Sequence, residues 1–374
     1  MVHAQDIATK TAASAPSGPD DGALRAARLG AQLLTDRCAT TPEQVVEHLL
    51  AVQAQDARAA RLSVRARSTG LTAADVDAAL TERQTMVVGW LHRTTLHLVP
   101  AADYWWLHQL LSPRQVTSSA TRLRQEGVDE VDAERGVDLI AGTLRDDGPQ
   151  TRDQLRARLD AAGIPTAGQA LVHLQLAASI AGHLVRGPMV GDQQAFVHAP
   201  TWLGEPEPED RDLLLARLAE RYLVGHGPAD AKDLVKWTGL ALGACRQGLA
   251  AIADRTEPSG PDGRVRLADR PVATELPTPR LLGGFDPILH GWVAKDLFVT
   301  HLPQVVTTNG IFRPTALVDG QVVATWSPAG ARVTLKPLAG ISVAAMDALQ
   351  ADADDIARYL AVDPRPITID ALRR

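Results

Sequence analysis

The chain has little cysteine, little lysine and few aromatic residues. Cys38 and Cys245 are its only cysteines, so neither a disulfide framework nor a cysteine-rich zinc site can be built. No apolar run approaches the roughly 20 residues that cross a bilayer. The first residues carry Lys10, Asp20 and Asp21 and no apolar stretch, so they do not read as a secretory signal. A glycine-rich phosphate loop, His-Glu-x-x-His, Gly-x-Ser-x-Gly and paired Cys-x-x-Cys are all missing. Nucleotide hydrolysis, zinc proteolysis and serine-esterase chemistry therefore have no support. His92 and His97 flank Arg93-Thr94-Thr95-Leu96 without a convincing third ligand, so no metal and no other cofactor is expected.

What is present is a globular composition: 374 residues, 45% hydrophobic and 22% charged, enough for several domains. Lysine stands only at positions 10, 232, 236, 295 and 336, and 33 basic residues are arginine. With the abundant alanine, this points to a GC-rich, actinomycete-like source and to the bacterial cytoplasm. The net charge is −6, but the signs are segregated. Arg58, Arg61, Arg65 and Arg67 crowd one window, followed by Arg83 and Arg93, and Arg114, Arg122 and Arg124 form a second group. Acids gather at 129–134, 205–212 and 352–355. A local basic face, more than the net sum, decides whether a polyanion can bind.

The chain divides by texture. Residues 1–22 are small and polar and are expected to form a disordered tail. Thr41-Pro42-Glu43 is a helix start, with Thr41 as N-cap and Pro42 in the first turn, and Val45, Val46, Leu49 and Leu50 fall on one face. A partial repeat follows: Gly148-Pro149-Gln150-Thr151 resembles Gly227-Pro228-Ala229-Asp230, and each opens a short helix, a turn and a longer helix. In the first copy two short strands follow, at 184–186 and 195–198. Helix, helix, longer helix and hairpin is the order of a winged helix-turn-helix. The expected fold is mainly α with β (α+β). Three tandem winged modules span 23–145, 146–222 and 223–270, and a β-rich domain with a terminal helix spans 271–374. In that last part, strands flank Asp319-Gly320, a strong hairpin signal.

Gln53-Ala54-Gln55 lies between the first amphipathic helix and the arginine-rich window. With 19 glutamines in the chain, about one Gln-x-Gln arises by chance, so alone it reads as a polar helix end. Its surroundings change its weight. Leu49-Leu50-Ala51-Val52-Gln53-Ala54-Gln55-Asp56 with Leu62-Ser63-Val64-Arg65 resembles the opening signature of the AlkZ-like winged-helix DNA glycosylases. Trp90-Leu91-His92-Arg93-Thr94-Thr95-Leu96-His97 with Tyr104-Trp105-Trp106, and Asn309-Gly310-Ile311-Phe312-Arg313-Pro314 with Thr325-Trp326, agree in family order. The resemblance covers roughly residues 23–345. Thr94 departs from it, since the family often has glycine there, and this bears on backbone freedom more than on chemistry.

The resemblance implies that Gln53 and Gln55 are catalytic, as in the Gln-x-Gln branch typified by the azinomycin-resistance glycosylase; a sister branch has Gln-x-Asp. It also implies a C-shaped molecule around duplex DNA. A monofunctional enzyme follows as the expectation, excising bulky N7-alkylated purines and extending to unhooking of interstrand crosslinks. Its expected partner is double-stranded DNA carrying alkylated purines, with no membrane, as a monomer associated with the nucleoid; self-protection in a producer of DNA-alkylating metabolites would be a natural setting. Arg58, Arg61, Arg65, Arg93, His97 and Arg313 are the expected DNA contacts. Asp56 is a weaker candidate base whose other role is to cap a helix. The alternatives are a winged-helix transcription regulator without catalysis and a DNA-damage binding protein.

Overall fold

The structure, a computed structural model, describes residues 19–191, 193–329 and 332–370. Nearly all of the expected tail lies outside these residues, but helix α1 (Pro19–Ala31) starts inside its last four positions. Helix α2 (Pro42–Leu49) begins as the sequence dictates. Thr41 caps it and forms a reciprocal capping box with Gln44, while Val45, Val46 and Leu49 are buried. It stops abruptly because Leu50 turns to a positive φ of 65°.

There follow β1 (Val52–Gln53), α3 (Ala57–Arg65), α4 (Ala73–Thr81), β2 (Met86–Trp90), β3 (Leu96–Pro100), α5 (Tyr104–Leu111), α6 (Val116–Gln125) and α7 (Glu130–Asp146). The first repeat copy becomes α8 (Arg152–Ala161) and α9 (Ala170–Ile180), with the hairpin β4 (Leu184–Val190) and β5 (Gln193–His198). After α10 (Ala199–Leu203) and α11 (Arg211–His226), the second copy becomes α12 (Ala231–Thr238), α13 (Leu242–Ala250) and a small hairpin, β6 (Thr256–Pro258) with β7 (Val265–Leu267). Both repeat copies open on capping boxes, set by Thr151 with Gln154 and by Asp230 with Asp233.

The strands join across the expected module boundaries. One five-stranded sheet runs in the order β1-β3-β2-β4-β5, with Val88 of β2 facing Arg186 of β4. Strands from the first segment and the wing of the second thus form one sheet, and 145/146 marks no break in it. All five residues of β2 are buried, as a central strand covered on both faces requires.

The C-terminal part has β8 (Arg280–Leu282), α14 (Leu302–Val305), β9 (Thr315–Val318), β10 (Gln321–Ala329), β11 (Arg332–Pro337), α15 (Val343–Tyr359) and β12 (Thr368–Ile369). Its sheet runs β12-β11-β10-β9-β8. The β9–β10 turn is the anticipated Asp-Gly pair: Asp319 has φ 50° and Gly320 φ 71°, the left-handed pair of a two-residue hairpin turn. Leu62 of α3 packs into this domain's core with Leu281, Trp326, Leu349 and Ile356. That helix therefore joins the N-terminal sheet to the C-terminal domain. Among the described residues no helix is long and apolar enough to cross a membrane.

Candidate active site

The glutamine pair does not end a helix. β1 is two residues long because the chain must turn from α2 into α3 within seven residues. Val52 pairs with Leu98 and Gln53 with His97, and the Ala54 amide donates to the Leu96 carbonyl at 2.7 Å. Gln53 is therefore pinned in the sheet and only 8% exposed. Gln55 is exposed in the bend that follows. Asp56 caps α3: its Oδ1 accepts from the backbone amides of Arg58 at 2.8 Å and Ala59 at 3.0 Å. This is the capping role, and it leaves Asp56 facing the helix backbone.

Neither glutamine carboxamide is hydrogen-bonded to another described residue. Each retains an oxygen acceptor and two N–H donors. One is held by strand pairing and the other is exposed on a sharp bend.

His97 stands directly across from Gln53, so the two side chains share one face of the ladder. Its Nδ1 lies 2.9 Å from the Thr95 carbonyl. A carbonyl only accepts, so Nδ1 carries the proton and Nε2 keeps a lone pair. Burial pulls the pKa down to about 3, and nearby Arg93 adds to the fall. His97 is thus a neutral, buried hydrogen-bonding group. For the expected DNA contact this means a neutral and nearly enclosed side chain, 5% exposed. His92 meets it edge-on at 4.6 Å between centroids and packs 4.1 Å from Trp237.

The loop between β2 and β3 is strained. Arg93 and Thr94 have φ of 51° and 61°, in the left-handed region that disfavours residues with a Cβ, and β-branched ones most. Glycine at position 94 would sit there freely, so the left-handed backbone accounts for the family's glycine and leaves Thr94 strained. The Arg93 side chain reaches across to donate to the carbonyls of Lys236 and Trp237. That interaction ties this loop to α12.

The arginine window is largely structural. Arg61 donates to Asp77 of α4, with Nε–Oδ1 at 2.8 Å, and to the Ala57 carbonyl. Its side chain is 13% exposed. Arg65 is 1% exposed and corrects the expectation of a DNA contact. Both of its terminal nitrogens engage Asp352 at 2.9 Å, and Nη2 also donates to the Leu281 carbonyl at 2.7 Å. Burial opposes its charge, but Asp352 and Asp355 outweigh that and hold the guanidinium above its ordinary value. Arg67 is likewise enclosed, with Asp286. The acids that seemed to gather elsewhere in sequence are, at 352 and 355, the partners of these arginines. Arg58, on the first turn of α3, is half-buried, and Arg313 is exposed beside Phe312.

Gly283 and Gly284 bring the C-terminal domain against this bend. A Cβ on Gly283 would lie 2.9 Å from the Ala59 carbonyl oxygen, and one on Gly284 2.9 Å from that of Phe312. The Phe312–Arg313 lip is thereby set near the start of α3. Two residues that the sequence reading assigned no role come into the same neighbourhood: Lys295 lies within electrostatic reach of both Arg93 and Lys236. Their only signal in the sequence was the rarity of lysine.

Among known proteins, the family model described as DNA glycosylase AlkZ-like matches residues 46–359, a span that takes in the glutamine pair, every strand but β12 and all of α15. The match identifies the class of protein as a DNA glycosylase, and the chain belongs to the AlkZ-like family. The solved structure of the Streptomyces sahachiroi DNA glycosylase AlkZ is similar in fold, with a TM-score of 0.78. It is 23% identical, and the match covers 93% of this chain and 99% of that one. No curated protein matches the chain.

Proposed function

We propose that this DNA glycosylase excises purines made cationic by alkylation at N7, and that Gln53 and Gln55 hold the attacking water. The supporting observation is the pair of carboxamides with no hydrogen bond to another described residue, one fixed opposite His97 and one exposed at the α3 cap. Glycoside hydrolysis ordinarily needs a carboxylic acid to protonate the leaving group. An N7-alkylated purine leaves as a neutral base without that proton. Positioning water near the anomeric carbon and tolerating positive charge on the sugar are then the remaining tasks. Two amides accomplish them through orientation and electrostatics. A neutral His97 suits this site, because an imidazolium there would oppose the developing oxocarbenium charge.

Duplex DNA carrying such lesions is the proposed partner, bound by a monomer through Arg58, Arg93 and Arg313. Its proposed scaffold is the winged elements of residues 23–270, the first two of the expected segments sharing one sheet. Unhooking of interstrand crosslinks follows if the lesion is attacked within the duplex, since a tethered guanine cannot be fully extruded. The test is base release from DNA containing 7-methylguanine, with abasic sites revealed by alkali. Strand breaks with the wild type that disappear in Gln53→Ala and Gln55→Ala support the assignment. Undiminished release in both variants overturns it.

A further inference from the structure

Arg28, Arg65, Arg67 and Arg280 are buried and each meets a carboxylate, whereas exposed Arg93 and Lys236 and half-buried Lys295 meet none among the described residues. Arg93 from the β2–β3 loop, Lys236 from α12 and Lys295 from the segment after Trp292 converge from three parts of the chain. None of them forms a salt bridge with a described carboxylate, although the chain has 44 acids for 38 Lys and Arg. Asp296, next to Lys295, is exposed and not paired with it. Arg93 is held by two carbonyls, which fix its direction without neutralising it. The Lys295 ammonium lies 4.9 Å over the Phe312 ring. His290 packs 4.1 Å from the same ring, and its Nε2 is buried without a hydrogen-bond partner.

Like charges gathered this way repel one another. Burial lowers the Lys295 pKa first, and Lys236 and Arg93 lower it further. His290 is pushed well below its usual value by burial and then by the charges of Arg93, Lys295 and Lys236, so it adds no cation. An anion would relieve this repulsion. Its arrival would be favoured by the held Arg93 guanidinium and Lys295 ammonium, the charge of Lys236 on α12, an aromatic floor and a neutral imidazole.

We infer that Arg93, Lys236 and Lys295, floored by Phe312 and flanked by His290, form a phosphate-binding site that grips the backbone of duplex DNA beside the glutamine pair. This deepens the proposed function and rests on its DNA-bound geometry. Arg93 and His97 lie in one hairpin, and His97 faces Gln53, so a phosphate held here fixes the sugar relative to the amides. The two lysines act as point charges, which need no bidentate alignment with the phosphate.

The experiment measures affinity of the full chain for a lesion-containing duplex against salt concentration. Each phosphate contact contributes about 0.9 to the slope of log K against log salt. Lys236→Ala/Lys295→Ala should lower that slope by about 1.8, which shrinks the affinity loss between about 50 and 200 mM salt by roughly tenfold. Lys295→Arg should keep the slope in the single background, and Lys336→Ala on β11 should leave it unchanged. A duplex carrying one neutral methylphosphonate, moved along the strand, should weaken wild-type binding at one position and leave the double variant insensitive there. The melting temperature of the double variant should hold or rise, because removed repulsion stabilises the free protein. An unchanged slope overturns the site. So does tight capture of inorganic phosphate at the lysines with no change in duplex binding. If the wild type shows this slope but releases no base, the phosphate site stands and the glycosylase chemistry proposed for Gln53 and Gln55 fails.

Discussion

Replacing Arg65 by alanine separates two readings of the arginine window. In the structure its guanidinium bridges α3 to α15 through Asp352 and to β8 through the Leu281 carbonyl, with 1% of the residue exposed. Removing one partner of a buried pair typically costs about 3–5 kcal/mol, because a charge is left desolvated. Here Asp352 keeps two other partners: the Leu281 amide at 2.7 Å and Arg280 at 3.2 Å. The expected loss is therefore at the lower end, about 3 kcal/mol. Replacing both Arg65 and Asp352 by methionine should not restore stability. Arg280, with its side chain 8% exposed, would then lose its acid. Urea unfolding at pH 7 measures these losses, and DNA affinity at equal folded concentration provides the second readout. If Arg65→Ala weakens DNA binding several-fold while unfolding stays within about 0.5 kcal/mol of wild type, Arg65 acts as a surface contact and the argument is wrong.

Four other outcomes are expected. Gln53→Ala and Gln55→Ala should each slow base release by about 10²-fold, the usual order for a lost orienting donor, as measured in single-turnover assays. Thr94→Gly should raise stability by about 1 kcal/mol by relieving the left-handed strain at φ 61°, seen as a higher urea midpoint. Stability should fall as pH drops below about 6.5 toward 3. Burial depresses His97 and His226 to about 3, so the unfolded chain binds protons in that window that the folded chain does not. Denaturant titrations at pH 7 and pH 5 would show it, and identical midpoints would refute it. Gly283→Ala should displace α3, because its Cβ would meet the Ala59 carbonyl oxygen at 2.9 Å; reduced base release with retained secondary structure is the expected signature.

Much of this protein was legible from local chemistry. Helix starts at Thr41, Thr151 and Asp230 and the Asp319-Gly320 turn depend on neighbours a few residues apart, and each forms as the sequence dictates. The glutamine pair was found through its flanking segments, and the left-handed backbone at Thr94 shows why glycine suits that position. What local pattern could not decide was where each arginine points. The window from Arg58 to Arg67 looks like a basic face in sequence. Its ion-pair partners lie at Asp77, Asp286, Asp352 and Asp355, on other elements and mostly more than two hundred residues away. Likewise His97 reads as a DNA contact until burial makes it a neutral, enclosed group, and Lys236 and Lys295 read as scattered residues until the fold brings their segments near Arg93. Local backbone preference and hydrophobic period are written in short stretches of chain. Charge state and charge pairing depend on desolvation and long-range neighbours, and only the tertiary structure decides those.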